Sequence, residues 1–342
     1  MSELVHDLPL TLGDVARNWR EVLLTGNLSD ERRMDFVSRW LIMTRATVFP
    51  MTLTSGLIGG VLALGRPEAD WRYFALALIG LLAAHGCNNL MNDYFDLTGG
   101  VDTSTYPRAL YAPHPVLSGW ISKEGLKAAI LGFHAVGAVV LAVLVAARGW
   151  PVLWFAATGL FLSIFYVAPP LKLKHRGLGE PSVFLVWGPL MIGGTYFVTT
   201  GDIAPRVWLA SVPYAMLVTT VLIGKHIDKL PHDAEKGIRT LPVILGDEAA
   251  RRWNRWLMIA FYGVVIALVV ARVLGPWSLL VLGSLPLCRK VLRVYSRPRP
   301  ESPPPRYPIW PLWYVASAFV LTRRAGALLV AGLVLDRLLP LF

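Results

Sequence analysis

The sequence predicts an all-α integral membrane protein with about nine transmembrane helices around a central cavity. Of the 342 residues, 55% are hydrophobic and 16% are charged, and the mean hydropathy is +0.52. Soluble domains contain about 25% charged residues. The chain also contains repeated apolar runs of about 20 residues, the length that crosses a bilayer as a helix. These observations exclude a soluble enzyme.

The apolar runs divide the chain into an N-terminal segment and a membrane domain. Residues 1–42 lack a continuous apolar core and a small-residue cleavage site, so we expect a cytoplasmic segment rather than a signal peptide. Residues 43–342 form the predicted transmembrane domain. The Pro-rich stretch 298–311 and the semi-apolar residues 310–321 fit a surface helix, a re-entrant piece or part of a span, so eight or ten spans remain possible. The predicted spans are 43–64, 71–93, 125–147, 150–168, 181–200, 205–224, 253–274, 276–292 and 325–342.

Positive charge is distributed unevenly between the predicted connections. The N-terminal segment and the stretches 169–180, 225–252 and 289–324 are basic, whereas the alternate connections contain few Arg residues. Cytoplasmic loops carry an excess of Lys and Arg. The pattern therefore places the N-terminus and two long cap loops, 93–124 and 225–252, in the cytoplasm. Topology and attraction to anionic lipid account for the net charge of +11, so no nucleic-acid partner is expected.

Three carboxylates, Asp93, Asp96 and Asp102, closely follow the second predicted span. Charged groups at membrane depth are costly and usually face a cavity in which they serve a function. Asp93 and Asp96 share a helix face, and a Gly-Gly pair lets the chain bring Asp102 back toward them. Acids this close repel one another unless a cation lies between them, and oxygen ligands without a nearby Cys favour Mg²⁺. The stretch therefore predicts a divalent-metal site at a membrane surface.

The loop after the sixth predicted span carries a second group of acids that includes Asp228 and Asp233. Mg²⁺ held by few carboxylates typically completes its coordination with substrate phosphates. We therefore expect the two loops to face one cavity and to hold two or three Mg²⁺ ions with a lipid-soluble diphosphate. The cationic side chains suited to neutralise the remaining phosphate charge are Arg45, Lys172, Lys174 and Arg239.

Four motifs occur in order along the chain. They are Arg-Ala-Thr-Val-Phe-Pro at 45–50, Asn-Asp-Tyr-Phe-Asp with Gly-Gly-Val-Asp at 92–102, Tyr-Val-Ala-Pro-Pro-Leu-Lys-Leu-Lys at 166–174, and Asp-Ala-Glu-Lys-Gly-Ile-Arg-Thr-Leu-Pro at 233–242. Together they resemble the UbiA superfamily of intramembrane prenyltransferases over roughly residues 40–335. The variant with Gly before the third acid is most similar to the branch that prenylates 1,4-dihydroxy-2-naphthoate in menaquinone synthesis.

The resemblance implies a Mg²⁺-dependent transfer of a polyprenyl group from an allylic diphosphate to an aromatic acceptor, with release of pyrophosphate, in the bilayer of a bacterial plasma membrane. In the naphthoate branch the acceptor also loses its carboxylate as CO₂. The implied catalytic residues are Asp93, Asp96, Asp228, Asp233 and Tyr166, the last beside the reacting carbon. The implied metal ligands are Asp93, Asp96, Asp102, Asp228 and Asp233. The implied diphosphate contacts are Asn92, which also orients the first cluster, Arg45, Lys172, Lys174, Lys229 and Arg239.

The second acid motif departs from the naphthoate branch. That branch shows Asn-x-x-Arg-Asp-x-x-x-Asp, whereas this chain has Lys-His-Ile-Asp-Lys at 225–229 before Asp233. The five-residue step from Asp228 to Asp233 rotates the first acid by about 100° more than a four-residue step on a continuous helix. Pro231 predicts a kink or a non-helical turn that lets Asp228 still reach the metal. We therefore expect the acceptor to differ more than the prenyl chemistry.

Two alternatives remain open at the level of sequence. A membrane terpene cyclase of the same superfamily would ionise the same diphosphate without an external acceptor. A transporter would use the acids as an ion relay and would need charged residues inside its spans, which have almost none at mid-depth. The sequence indicates neither the prenyl length nor the oligomeric state.

Overall fold

The structure is a computed structural model that describes residues 10–29, 32–305, 307 and 309–341. The first nine residues of the predicted N-terminal segment lie outside these ranges. Within them the chain contains helices and no β-strand, which confirms the predicted all-α fold. The α-helices are α1 Leu12–Thr25, α2 Phe36–Met43, α3 Phe49–Ala63, α4 Trp71–Thr98, α5 Pro107–Tyr111, α6 Lys123–Arg148, α7 Pro151–Val167, α8 Gly179–Leu185, α9 Gly194–Thr200, α10 Pro205–Glu235, α11 Leu241–Leu245, α12 Asp247–Val270, α13 Leu285–Tyr295 and α14 Tyr314–Leu338.

Seven helical segments in the described part of the chain are long and apolar enough to cross a membrane. They are Ala46–Ala63, α4, α6, Gly179–Thr200, α10, α12 and α14. Helix α7 is apolar but has only 17 residues. The predicted span 276–292 is a 3₁₀ helix, Pro276–Ser284, followed by α13. The chain is an integral membrane protein, and the count of nine spans stays a prediction.

The segment Gly179–Thr200 joins α8 and α9 through a π-helix, Val186–Gly193. Pro189 lies inside this π-helix, where its missing N–H removes a regular helical hydrogen bond. Ser55 of α3 donates a hydrogen bond of 2.6 Å to the backbone oxygen of Trp187 in the same stretch. The irregular turn is therefore tied to the first spanning helix.

Helices α4 and α10 extend past the ends predicted from hydropathy. They contain 28 and 31 residues, which correspond to about 42 and 46 Å at 1.5 Å per residue. A bilayer core is about 30 Å thick, so the last turns of both helices carry polar residues beyond it. The cap loops expected to begin at residues 93 and 225 therefore begin as helix, and the non-helical chain starts after Thr98 and after Glu235.

The last helix also begins earlier than predicted, at Tyr314 rather than at residue 325. It packs against α10 at Gly224, where an added Cβ would lie 3.0 Å from the backbone of Val315. This close approach requires a glycine on α10. The main apolar core lies around these two helices together with α3 and α12.

Two sets of contacts define opposite ends of the helix bundle. At one end, Lys236 beyond α10 donates a 2.7 Å hydrogen bond to the backbone oxygen of Val101 beyond α4. At the other end, Arg66 and Asp202 form an ion pair of 3.0 Å between the α3–α4 and α9–α10 connections. The acids of both predicted loops therefore lie at the same end of the molecule.

A large apolar cavity of about 810 Å³ runs into the bundle from the end at which the acids lie. Its walls come from α4, α6, α7, α10, α14 and the segment Gly179–Thr200, and they include Phe133, Phe155, Trp187 and Phe319. Pockets of this size and apolarity are typical of sites for hydrophobic ligands.

Candidate active site

A small polar pocket lies at the mouth of the apolar cavity, between the C-terminal turns of α4 and α10. Six side chains line both spaces: Arg45, Asn92, Arg108, Tyr111, Tyr166 and Lys225. The polar and apolar spaces therefore share a boundary. Of the predicted site residues, the structure brings Asn92, Asp96, Asp102, Asp233, Arg45, Lys174, Lys229 and Tyr166 to this pocket.

Asp93 lies directly behind the pocket, where it pairs with two arginines. The Arg108 guanidinium donates to both carboxylate oxygens at 3.0 and 2.9 Å, and Arg45 donates to one of the same oxygens. Asp93 is fully buried. Burial opposes the charge of Arg108, but Asp93 outweighs burial and raises the pKa of the guanidinium. Both oxygens of Asp93 are engaged by arginines, so in this structure Asp93 positions cations, and its metal-ligand role stays a prediction.

Arg45 is held in this position by an unusual backbone conformation. It lies between α2 and α3 with a φ of 54°, in the left-handed region that few non-glycine residues adopt. Such strained residues cluster at functional sites, where the surrounding structure holds them in place. The Asp93 ion pair is the contact that holds Arg45 at the pocket.

Asp96 is paired with a lysine from the connection between α7 and α8. The Lys174 ammonium donates to the two Asp96 oxygens at 2.8 and 2.7 Å, and both side chains are buried. A short 3₁₀ helix, Leu173–Arg176, places Lys174 there. Burial, together with the neighbouring Lys174, lowers the pKa of His175 to about 4, so its imidazole is neutral at neutral pH. Lys174 is therefore the cationic side chain that the α7–α8 connection contributes to the pocket.

The turn after α4 returns Asp102 to the cluster, as expected from the Gly-Gly pair. The backbone N–H of Asp102 donates to the backbone oxygen of Asp96 at 3.0 Å. Among the described residues, donor atoms of Asp93, Asp102 and His114 lie within 4.8 Å of one another. One buried oxygen of Asp102 and the buried side-chain oxygen of Asn92 have no hydrogen-bond partner in the described part of the chain. Because buried polar atoms normally have a partner, these two oxygens are candidate ligands for a bound ion.

Asp233 faces the same pocket from α10 and accepts a hydrogen bond from the other loop. The Tyr106 hydroxyl donates to it at 2.5 Å. Burial and the neighbouring Asp233 raise the pKa of Tyr106 far above its ordinary value, so the hydroxyl keeps its proton. The Lys229 ammonium lies 4.3 Å from the centre of the Tyr106 ring. The loop after α4 and the end of α10 thus form one connected site.

Besides Asp93, three further predicted residues do not line the pocket. Lys172 directly precedes the 3₁₀ helix and has a left-handed backbone conformation, with a φ of 45°. The side chain of Arg239 is exposed. Both oxygens of Asp228 accept backbone N–H groups at the start of α14, from Tyr314 and Val315, each at 2.9 Å. Asp228 therefore lies away from the pocket in this structure, and its metal-ligand role stays a prediction. Helix α10 continues through Pro231, and the five-residue step turns Asp228 away from Asp233.

The structure adds site residues that the sequence did not single out. Arg108, Tyr106, His114 and Lys225 contact or line the acid cluster. Tyr106 directly precedes the short helix α5, and Arg108 lies within it. No spacing rule links either residue to Asp93 or Asp233. Lys225 offered one signal, because it lies four and eight residues before Lys229 and Asp233 and so shares their helix face.

The donor set fits a divalent cation. Asn92, Asp96, Asp102 and Asp233 present oxygen atoms to one pocket, and two of these oxygens are buried without a partner. Hard cations such as Mg²⁺ and Ca²⁺ prefer oxygen ligands, and Mg²⁺ usually takes one or two carboxylates together with substrate phosphates. The same pocket contains several cationic side chains suited to phosphate oxygens.

The fold and this site define the class of protein: a helical integral membrane protein that joins a polar pocket for anions and a cation to a deep apolar cavity. The chain belongs to the UbiA prenyltransferase family, whose sequence profile matches residues 52–312. It is therefore a prenyltransferase.

Relatives of known activity cover most of the chain. The 1,4-dihydroxy-2-naphthoate octaprenyltransferase of Bacillus subtilis is 26% identical over 246 residues, which are 69% of this chain and 76% of that protein. The Escherichia coli protein of the same name is 25% identical over 275 residues, 78% of this chain and 88% of that protein. The 2-carboxy-1,4-naphthoquinone phytyltransferase of Synechocystis is 24% identical, over 74% of this chain and 81% of that protein.

Solved structures share the fold. A UbiA homolog from Aeropyrum pernix superimposes with a TM-score of 0.63 at 18% identity, and the match covers 84% of this chain and 97% of that chain. A UbiA homolog from Archaeoglobus fulgidus, solved with GPP and Mg²⁺, superimposes with a TM-score of 0.57 at 14% identity over 85% of this chain and 99% of that chain.

Proposed function

We propose that this chain transfers a polyprenyl group from an allylic prenyl diphosphate to an aromatic acceptor of the 1,4-dihydroxy-2-naphthoate class, at the cytoplasmic face of a bacterial plasma membrane. The observation that carries the proposal is the shared boundary of the two cavities. Arg45, Asn92, Tyr166 and Lys225 line both the polar pocket and the apolar cavity. An amphiphile with a diphosphate head and a hydrocarbon tail fits such a junction, with its scissile bond at the boundary.

In this proposal Asn92, Asp96, Asp102 and Asp233 hold Mg²⁺. When bound, the ion would neutralise charge that develops on the diphosphate as the carbon–oxygen bond breaks. The chain's own cations act on the same oxygens. Arg45 and Arg108 are fixed by Asp93, and Lys174 is fixed by Asp96, so their positive charges are in place before the substrate binds.

The apolar cavity binds the hydrocarbon tail and excludes water from the allylic cation that forms when pyrophosphate leaves. Tyr166 lies at the boundary and places an aromatic ring near that carbon. An electron-rich acceptor ring supplies the electron pair for the new carbon–carbon bond and then loses a proton or its carboxylate as CO₂, which restores aromaticity. The Bacillus subtilis and Escherichia coli relatives, both named as 1,4-dihydroxy-2-naphthoate octaprenyltransferases, support an acceptor of this class.

The proposed orientation is supported by the position of the charged connections. Both acid groups lie at one end of the bundle, and the basic stretches 169–180 and 225–252 are at the same end. Loops enriched in Lys and Arg stay in the cytoplasm. The diphosphate would then enter from the cytoplasm and its tail from the bilayer.

Product analysis tests the proposal. Purified protein is incubated with Mg²⁺, geranylgeranyl diphosphate and either 1,4-dihydroxy-2-naphthoate or 4-hydroxybenzoate, and the lipid extract is analysed by mass spectrometry. We expect a prenylated and decarboxylated naphthoate product. A prenylated product from the other acceptor alone would overturn the acceptor class. A hydrocarbon product formed without any acceptor would indicate a terpene cyclase, and no consumption of the diphosphate would defeat both.

A further inference from the structure

On the face of α10 that carries Asp233, the residue one helical turn earlier is Lys229 rather than a second acid. Residues four apart on a continuous helix lie on one face, so Lys225, Lys229 and Asp233 point the same way. All three line the polar pocket. Asp228 is turned toward α14, where it accepts two backbone N–H groups. The helix therefore presents one carboxylate and two ammonium groups to the substrate.

The Lys229 side chain is built into the site. It is 7% exposed, and its ammonium lies over the ring of Tyr106, whose hydroxyl donates to Asp233. Lys174 differs, because its ammonium is already paired with Asp96. In the described part of the chain the Lys229 ammonium has no carboxylate within ion-pair distance. Its charge is therefore available to a ligand that enters the pocket.

The charges around the pocket can be balanced residue by residue. Glu180 lies outside the pocket lining and is hydrogen-bonded to His226, so its charge does not belong to the pocket. Asp93 is included because it pairs with two of the cations. The five cations are Arg45, Arg108, Lys174, Lys225 and Lys229. The four carboxylates are Asp93, Asp96, Asp102 and Asp233.

With all five cationic side chains protonated, this balance leaves one excess positive charge. A single divalent cation raises the excess to three, which matches the roughly three negative charges of an ionised organic diphosphate. A carboxylate in place of Lys229 would make the net charge of the pocket more negative by two. One further divalent ion would compensate for that difference. With Lys229 present, a second metal ion would leave the complex with uncompensated positive charge in a buried site, which is costly.

We propose that the Lys229 ammonium takes the place of a second metal ion, so that the site binds one divalent cation together with the prenyl diphosphate. The inference rests on the proposed function and revises the two or three ions expected from the acid clusters alone. Asn92, Asp96, Asp102 and Asp233 hold the single ion, and Lys229 contacts the phosphate oxygens directly.

Metal counting tests this inference without relying on turnover. Purified protein is equilibrated with Mn²⁺, as a probe for the divalent site, and with geranylgeranyl thiolodiphosphate, an analogue that resists ionisation. The bound Mn²⁺ per chain is then measured by electron paramagnetic resonance of the free ion. We expect one Mn²⁺ per chain in the native protein. Two or more would overturn the inference and leave the proposed function standing.

Variants sharpen the count. Lys229→Asp is expected to bind two Mn²⁺ with the analogue, whereas Lys290→Asp, the same change at an exposed position on α13, keeps one. Lys229→Met is expected to keep one Mn²⁺ and to weaken analogue binding by about ten- to a hundredfold, the effect of losing a charged hydrogen bond. Unchanged analogue affinity in Lys229→Met would contradict the direct contact.

The outcomes separate the two claims. If Lys229→Asp does not fold, the count in the native protein still decides the inference. If the native protein binds neither Mn²⁺ nor the analogue, the proposed diphosphate site fails and the inference fails with it. If the native protein binds the analogue without any Mn²⁺, the inference is overturned. The proposed metal dependence is then also wrong, but the proposed binding of a diphosphate is retained.

Discussion

At the scale of single residues, the acids near the membrane edge divide into two groups. Asp96, Asp102 and Asp233 open into the pocket, whereas Asp93 holds two arginines and Asp228 binds the start of α14. Sequence spacing identifies the cluster at Asp93–Asp102 because these residues lie within one helix end and its turn. It does not show which oxygen atoms are already engaged by partners from distant loops.

One chemical change at three positions tests this division. We expect Asp96→Asn and Asp233→Asn to lower turnover by about a hundred- to a thousandfold, because each removes a carboxylate proposed to hold the Mg²⁺ that stabilises the leaving diphosphate. Asp228→Asn should leave turnover nearly unchanged, since its side chain does not reach the pocket. Initial rates of pyrophosphate release measure all three. A loss in Asp228→Asn as large as in Asp233→Asn would return Asp228 to the site.

Asp228 matters for stability instead. Asp228→Ala leaves two backbone N–H groups at the start of α14 without their acceptor. Loss of such a cap costs about 1–2 kcal/mol. We expect the midpoint of thermal unfolding, followed by size-exclusion fluorescence in detergent, to fall by several degrees while Mn²⁺ binding is retained. An unchanged midpoint would contradict the capping role.

At the scale of elements, hydropathy locates the spanning helices but not their ends. An apolar run reports the thickness of the bilayer, whereas a helix continues wherever its hydrogen bonds and packing allow. Helices α4 and α10 therefore extend to Thr98 and Glu235, past the predicted ends at 93 and 224. These extra turns carry much of the site. Helix α10 runs on through Pro231 without the non-helical turn that the sequence allowed, and Asp228 lies away from Asp233.

The docking of α1 against α2 depends on Asp35, which lies outside the spanning segments. Its carboxylate accepts hydrogen bonds from Ser38, Trp19 and Asn18. Burial alone would raise the pKa of Asp35, but these hydrogen bonds outweigh burial and lower the pKa from 3.8 to about 2. A lowered carboxyl pKa stabilises the folded form above the unfolded pKa, and this contribution is lost as the pH falls from about 4 to about 2.

Hydrogen–deuterium exchange of α1 measures this effect. Protection factors of α1 in the native protein should fall as the pH is lowered from about 4 toward about 2, because Asp35 then becomes protonated. Asp35→Asn should give weaker protection at pH 5 and little further loss on acidification. The same acid-induced loss in the variant and the native protein would show that another group is responsible.

At the scale of the whole molecule, the two ends of the bundle carry different charge. The positive-inside pattern predicts that the end with the acids faces the cytoplasm. Ser104 lies exposed in the loop after α4, and Glu68 lies exposed at the opposite end. The two native cysteines, Cys87 and Cys288, are buried, so we expect neither to react with a maleimide reagent added from solution.

Cysteine labelling therefore reports the orientation. Ser104→Cys should react with a membrane-impermeant maleimide in inside-out vesicles and be protected in intact cells freed of their outer envelope. Glu68→Cys should show the reverse pattern. Labelling of Ser104→Cys from outside the cell would contradict the cytoplasmic site.

Composition, apolar runs and motif order together predict the all-α membrane fold, the family and the core of the acid cluster. They do not predict Arg108 or Tyr106, whose roles depend on how the loop after α4 folds back over Asp93 and Asp233. Nor do they predict the cavity, because its walls come from many segments that are distant in the chain.

The central claim is that the polar pocket ionises a prenyl diphosphate whose tail lies in the apolar cavity and passes the prenyl group to an acceptor. The most direct measurement is pyrophosphate release in a single turnover with Mg²⁺ and geranylgeranyl diphosphate, with and without 1,4-dihydroxy-2-naphthoate. We predict release that depends on the acceptor and matches prenylated product one to one, and that is lost in Asp233→Asn. Equal release without the acceptor, or full release in Asp233→Asn, would contradict the account.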